Sequence, residues 1–179
     1  MIPALRSFLR RASGDQSGVS AVEFALIAPV MVLFYLGMME VSLALSVDRK
    51  VTAAASALAD LVAQDDVVTD DEMENILNAG AAIIAPNDPA RFSVRITSVS
   101  MNLTGDVEVD WSDASGMTPL APGSAVATPG GILFPGRSVI MVEVNYLYDA
   151  PFAEIGLGQY DIDETFYLRP RQSLVVSRG

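Results

Sequence analysis

The sequence predicts an α+β fold: a long N-terminal helix that crosses a membrane, a second short helix, and an antiparallel sheet of about four strands. Three observations carry that prediction. Residues 18–45 read GVSAVEFALIAPVMVLFYLGMMEVSLAL, a long apolar run interrupted by two charges, Glu23 and Glu40. A second, shorter segment of helical periodicity follows Thr69. Beyond Pro89 the apolar residues switch to the alternation of half-buried strands, in FSVRITSVSM, VEVDW and SVIMVEVNYLY.

The first helix is justified by length and charge. Sixteen residues from Phe24 to Met39 carry no charge, and the wider run from Val19 to Val47 has 29 residues. About 20 residues of helix span the hydrocarbon core, so the middle of this run qualifies, with both acids near the interfaces. Arg6, Arg10 and Arg11 precede it and favour a cytoplasmic N-terminus. Arg49 and Lys50 on the far side oppose that orientation with a smaller cluster. A cleaved secretory signal is the competing reading, but Ala44 and Ser46 offer only a weak exit site, and the run flows into VTAAASALADLVAQ, which is itself helix-forming. One continuous helix is therefore expected from about residue 20 to residue 63. Pro29 inside it removes one backbone hydrogen bond, which membrane helices tolerate. Leu58, Leu61 and Val62 are spaced to pack on a following domain. Glu40 is expected at headgroup level.

Composition narrows the function classes. The 179 residues include no cysteine and no histidine. Disulfides, zinc–thiolate sites and thiol nucleophiles are excluded, and the commonest general base and transition-metal ligand is missing. The net charge of −11 is uneven: residues 1–47 balance three Arg against Asp15, Glu23 and Glu40, whereas residues 48–179 hold 8 basic and 19 acidic residues. So acidic a region argues against nucleic acid and anionic lipid and serves solubility. No GxSxG is present, TPGG lacks the lysine and helix of a phosphate loop, and the acids between Asp60 and Glu74 lack the spacing and glycine of a calcium loop. An enzyme is not expected, nor a cofactor or metal.

An acid near the start of an apolar helix is costly and calls for a specific partner. Here Glu23 lies five residues past the small residue Gly18, and Phe24 follows it. This arrangement resembles the type IV pilin signature. More narrowly, Gly18, Val22, Glu23, Phe24, Ala25, Leu26, Pro29 and Glu40 are similar to the N-terminal module of TadE-like proteins, minor pseudopilins of the tight-adherence (Tad/Flp) pilus system. The resemblance covers about 28 residues. It implies cleavage by a prepilin peptidase between Gly18 and Val19, on the cytoplasmic side of the inner membrane. It implies other pilins, pseudopilins and the pilus assembly platform as partners, and a C-terminal domain in the periplasm. Glu23 then becomes the fifth residue of the mature chain. When subunits pack their helices in parallel, its carboxylate needs a positive group, which the new α-amino terminus supplies, and such a pair sets axial register. The competing reading leaves Glu23 solvated among the headgroups. Val19 departs from the bulkier first residue common in major pilins, and the domain is much larger than theirs, which favours a minor subunit.

Four segments follow: a basic leader (1–18), a transmembrane helix (19–47), a helical stalk (48–64) and a periplasmic α+β domain (65–179). Thr69 or Asp70 caps the second helix, acids in the first turn suit its dipole, and Pro86 and Pro89 end it. Met73, Ile76, Leu77 and Ile84 mark its buried side. In the strand Phe92–Met101, Phe92, Val94 and Ile96 share one face, after which Val99 and Met101 shift to the other, as a bulge would produce. NLTGD links this strand to VEVDW as a hairpin. Residues 113–137 read as a long Gly/Pro-rich loop, Ser138–Tyr148 as the strongest strand, and Phe152–Gly158 as an irregular connection with a short turn. Thr165–Leu168 and Gln172–Val176 are expected to form a last strand or pair, broken by Pro170. Helix layered on sheet is a pilin-like arrangement. Two other readings share the anchor: an uncleaved inner-membrane assembly component, and an anchored periplasmic binding module with its site in the 113–137 loop.

Overall fold

A computed structural model describes residues 16–151 and 158–179. The basic residues before position 16 and most of the Phe152–Gly158 connection lie outside the described residues. Helix α1 (Gln16–Ala63) runs through Pro29 as one element of 48 residues. Its two halves behave differently. From Gly18 to Met39 no side chain is buried. From residue 40 onward a stripe formed by Glu40, Ala44, Val47, Val51, Ala54, Ala55, Leu58, Ala59 and Val62 is buried at helical spacing. Leu58 and Val62 belong to that stripe as expected, but Leu61 is 38% exposed and points away from it. Three residues past Leu58, it falls on the outer edge of a face whose small residues keep it narrow.

Strand β1 (Val67–Val68) leads into helix α2 (Asp70–Ile84). Thr69 caps α2 with a reciprocal box. Its backbone N–H donates to Glu72 Oε2 at 2.8 Å, and its hydroxyl oxygen accepts from Glu72 N at 3.4 Å. Both Thr69 donors hold the Glu72 carboxyl below the usual carboxylate range, the backbone N–H most of all. Met73, Ile76 and Ile84 face the core with Leu77 partly covered. Gly80 joins them because the helices meet there: a Cβ would stand 2.9 Å from Phe92 Cε1 and 3.0 Å from Leu58 Cδ1.

A short 3₁₀ turn (Pro89–Arg91) delivers the chain to the main sheet. Its strands are β2 (Phe92–Met101), β3 (Val107–Ser115), β4 (Ser138–Asp149) and β5 (Gln159–Leu168), all antiparallel in the order β3-β2-β4-β5. The Asn102–Asp106 hairpin joins β2 to β3, with Asn102 Oδ1 accepting from Thr104 N and Asp106 N. Strand β2 keeps unbroken register with β4 from Phe92↔Tyr146 to Ser100↔Ser138. The bulge lies instead on β3, where Asp110 is the extra residue between the pairs Ser98↔Trp111 and Val99↔Val109. Residues directly opposite share a face, so the bulge sends Trp111 toward the helices and Val109 to the other side. Asp110 accepts hydroxyl hydrogen bonds from Ser98 (3.0 Å) and Ser100 (2.6 Å).

The shift of apolar residues in β2 has a different cause: both faces of the sheet are covered. Helices α1 and α2 pack on one face, over Val94, Ile96, Ile140, Val142 and Val144. On the other, Val99, Val139 and Met141 pack with Leu133, flanked by Leu120, Val126 and Ile132. The long connection is therefore a structural cover and is shorter than expected, since β3 already occupies residues 113–115. Isolated bridges tie it to the sheet at Met101↔Pro135 and Glu108↔Ala125. Arg95 adds a third tie, with a bidentate contact to Glu143 (both 2.7 Å) and a hydrogen bond to Thr118 O.

The last part of the chain differs most from expectation. Strand β5 begins at Gln159, six residues before the expected Thr165, and Gln172–Val176 is not a strand. Instead β6 (Ser177–Arg178) pairs parallel with β1. Trp111 Nε1 donates to Val176 O at 2.8 Å, while the Arg178 guanidinium meets Asp113 (2.8 Å) and Asp70 (2.8 Å). Short side-chain and main-chain contacts, with little strand propensity, hold this tail.

Two outcomes check this packing. Leu58→Ala should lower unfolding stability of the full chain in mild detergent by about 3 kcal/mol, and Leu61→Ala by less than about 1 kcal/mol, in denaturant titration. Equal losses would contradict the narrow buried stripe. Because the Glu72 carboxyl is depressed in the folded state, its contribution is complete above the unfolded carboxylate pKa and lost as pH falls through the lower folded value. Glu72→Gln should therefore remove part of the acid-side fall in stability; an unchanged acid limb would exclude the capping box as its source.

Candidate functional site

The residues marked by the sequence gather on the first half of α1. Gly18 and Val19 sit in its first turn, followed by Glu23 and Phe24 on the next turn, all exposed. The domain touches none of them. Val22, Phe24, Leu26, Ile27, Val30, Met31, Val32, Phe34 and Tyr35 are each more than half exposed and together are spread round the whole helix. A helix apolar on every side belongs in lipid or among other helices. Gly18–Met39 gives about 33 Å of it, against a hydrocarbon core of about 30 Å. The run is long and apolar enough to cross a membrane. Within it, Glu23 makes no ion pair among the described residues.

Glu40 behaves differently from the headgroup placement expected for it. It is 1% exposed, and its Oε1 has no hydrogen-bond partner among the described residues. The cause is its position on the helix. Glu40, Ala44, Val47 and Val51 follow one another at steps of four, three and four, so the acid falls on the docked stripe and turns inward to the domain. Tyr148 and Tyr160, with rings 5.3 Å apart, stand at the same end of the sheet. Burial raises both phenol pKa values, and the nearby Glu40 charge adds to the effect. Tyr148 Oη is also buried without a partner. The signal was present in the sequence: extending the alanine stripe backward by one turn reaches Glu40.

Two concavities flank this junction. One, of about 590 Å³, is lined by Leu33, Phe34, Gly37, Met38, Glu40, Val41, Ser42 and Leu45 along the helix. The other, of about 390 Å³, opens between α1 and the end of the sheet, where Lys50, Asp88, Arg91, Tyr146, Tyr148 and Asp149 meet. The 113–137 segment, the candidate binding loop, spends its apolar side chains on the sheet, and the hollow beside it at Ile132, Val139, Tyr167 and Arg169 measures about 190 Å³. Among the described residues no group of three or more acidic side chains is placed to hold a metal ion.

An apolar helix with an acid near its start, long enough to cross a membrane and continuous with a helix-on-sheet domain, defines the architecture as α+β with one extended N-terminal helix. Residues 18–60 match the family model described as TadE-like protein, over the same N-terminal segment that carries the resemblance. The match takes in both the exposed apolar half of α1 and most of the docked stripe, ending three residues before the end of the helix. No curated protein and no solved structure matches the chain.

The orphaned carboxyl makes a direct prediction. Replacing Glu40 by leucine, which fills the site without a polar group to desolvate, should raise unfolding stability of the full chain by about 1–2 kcal/mol. A lower midpoint in denaturant would mean that the carboxyl is satisfied in the folded state.

Proposed function

We propose that the chain is a minor pseudopilin that takes part in assembly of a Tad/Flp-type pilus, in a structural rather than catalytic role. The observation that carries this reading is the bare first half of α1, apolar all round, with Glu23 exposed five residues after Gly18 within the TadE-like match. The helix sits in the inner membrane with the N-terminus cytoplasmic, the side favoured by Arg6, Arg10 and Arg11, and the sheet domain in the periplasm. A prepilin peptidase cuts between Gly18 and Val19. Glu23 and Phe24 then face neighbouring pilins and pseudopilins as the assembly platform extrudes the subunit. In an apolar environment a lone carboxylate is costly, and a neighbour's free α-amino group relieves that cost at one axial register only.

The same geometry also suits an uncleaved inner-membrane component of the apparatus, and processing separates the two. In a cell with a Tad pilus system, protein recovered from membranes should begin at Val19, and Gly18→Leu should leave it beginning at Met1. Unprocessed wild-type protein would assign it to the uncleaved class. Glu23→Ala should insert normally yet reduce surface pili to background when counted by electron microscopy; normal piliation would remove the register role.

A further inference from the structure

We propose that the 390 Å³ cavity at the root of the domain is a seat for the headgroup of a zwitterionic phospholipid, of the phosphoethanolamine class. The inference rests on the reading that Gly18–Met39 spans the membrane, and goes beyond it. If that run fills the hydrocarbon core, the interfacial layer above it, about 5–8 Å thick, falls beside the next four or five residues of the helix. The cavity begins there, at Leu43, and extends to Lys50. Only its lower edge, at Leu43, is therefore at the depth of lipid phosphates, while Lys50 stands seven residues, about 10 Å, farther along the helix.

Its chemistry matches a dipolar group. Lys50 Nζ donates to Ala85 O at 2.6 Å and meets no carboxylate among the described residues, so two of its three N–H donors are left for a phosphate. Helical side chains lean toward the N-terminus, which here is toward the membrane. Arg91 is already held by Asp149 at 2.9 Å and Asp88 at 3.7 Å. Both carboxylates keep about half of their surface exposed and can accept from an ammonium. Two cations and two anions leave the cavity neutral, while residues 48–179 as a whole carry −11. A net negative headgroup is repelled by that field; one with its own ammonium is not. Below the cavity Leu43, Met39 and Leu36 follow at i, i−4 and i−7, a single helix face along which an acyl chain can lie.

The test uses the full chain in nanodiscs made from equal parts phosphatidylethanolamine and phosphatidylglycerol, released into the gas phase for native mass spectrometry. The retained lipid should be enriched about fivefold in phosphatidylethanolamine, and Lys50→Gln should abolish the enrichment with the thermal midpoint unchanged. Equal retention of the two lipids, preference for phosphatidylglycerol, or enrichment that survives Lys50→Gln overturns the proposal. Soluble glycerophosphoethanolamine added to detergent-solubilised protein should not bind measurably; saturable binding would assign the cavity to a free phosphate ligand instead. Resistance of the chain to carbonate extraction from vesicles tests the membrane reading separately. If extraction removes the protein, that reading fails; if the protein stays and enrichment is absent, only the lipid seat fails.

Discussion

The docking of the second half of α1 onto the sheet is the constraint on which the rest of the molecule depends. Ala44, Ala54, Ala55 and Ala59 let the helix axis approach the strands closely, while Val47, Val51, Leu58 and Val62 fill the spaces between them. Residues 40–63 run about 36 Å along β4, β5 and α2. Because the helix is uninterrupted, its bare half leaves the domain in a direction set by this seam. The helix is continuous through Gly37, so no loop separates the apolar segment from the folded domain. A displacement of one is thus transmitted to the other.

The sheet is stabilised from both sides, which explains how strands rich in acids remain ordered. The helices cover one face, and the connection after β3 covers part of the other through Leu133 and its neighbours. Arg95 and Glu143 lie on that second face, each less than one-third exposed, where their bidentate geometry offsets the cost of partial burial and anchors the connection at Thr118. On the opposite, helix-covered face the C-terminal tail is fixed beside β3 by Trp111 and Arg178. A single β-bulge at Asp110 is what turns Trp111 to meet that tail. Local irregularity in β3 and long-range closure of the chain are thus one feature.

Much of this was legible in the residues. The Thr69 cap, the start of β2 at Phe92, the NLTGD hairpin and the strand from Ser138 all announce themselves through local chemistry: a hydroxyl before acids, alternation after proline, or turn residues between apolar runs. What stayed hidden depends on contacts far apart in sequence. In QYDIDETFYL the outward acids, Asp161 and Asp163, mask the inward alternation of Tyr160, Ile162 and Phe166, and only pairing with β4 makes it a strand. Asn145 on β4 donates to both acids and so makes their side of the sheet tolerable. The β1–β6 pair is two residues on each side, too short to leave a pattern. The second core was hidden for the same reason, since nothing in a Gly/Pro-rich segment tells which strand face it will cover. At the candidate site, the inward turn of Glu40 stayed hidden because it depends on the stripe continuing under the domain.

The two glutamates of α1 differ in their surroundings by geometry. Seventeen residues separate them, which places them about 100° apart around the helix axis. Glu40 points to the chain's own domain, beside Tyr148 and Tyr160. Glu23 points away from everything the described chain contains. An acid that faces its own domain can influence how the helix seats there but has no access to a neighbour without displacing the sheet. An acid on the bare half has the reverse property: its cost in an apolar surrounding is relieved only by a group from another molecule. The same residue type on one helix thus faces the chain's own domain at Glu40 and open surroundings at Glu23, and the boundary between the two is the point at which the alanine stripe meets the sheet.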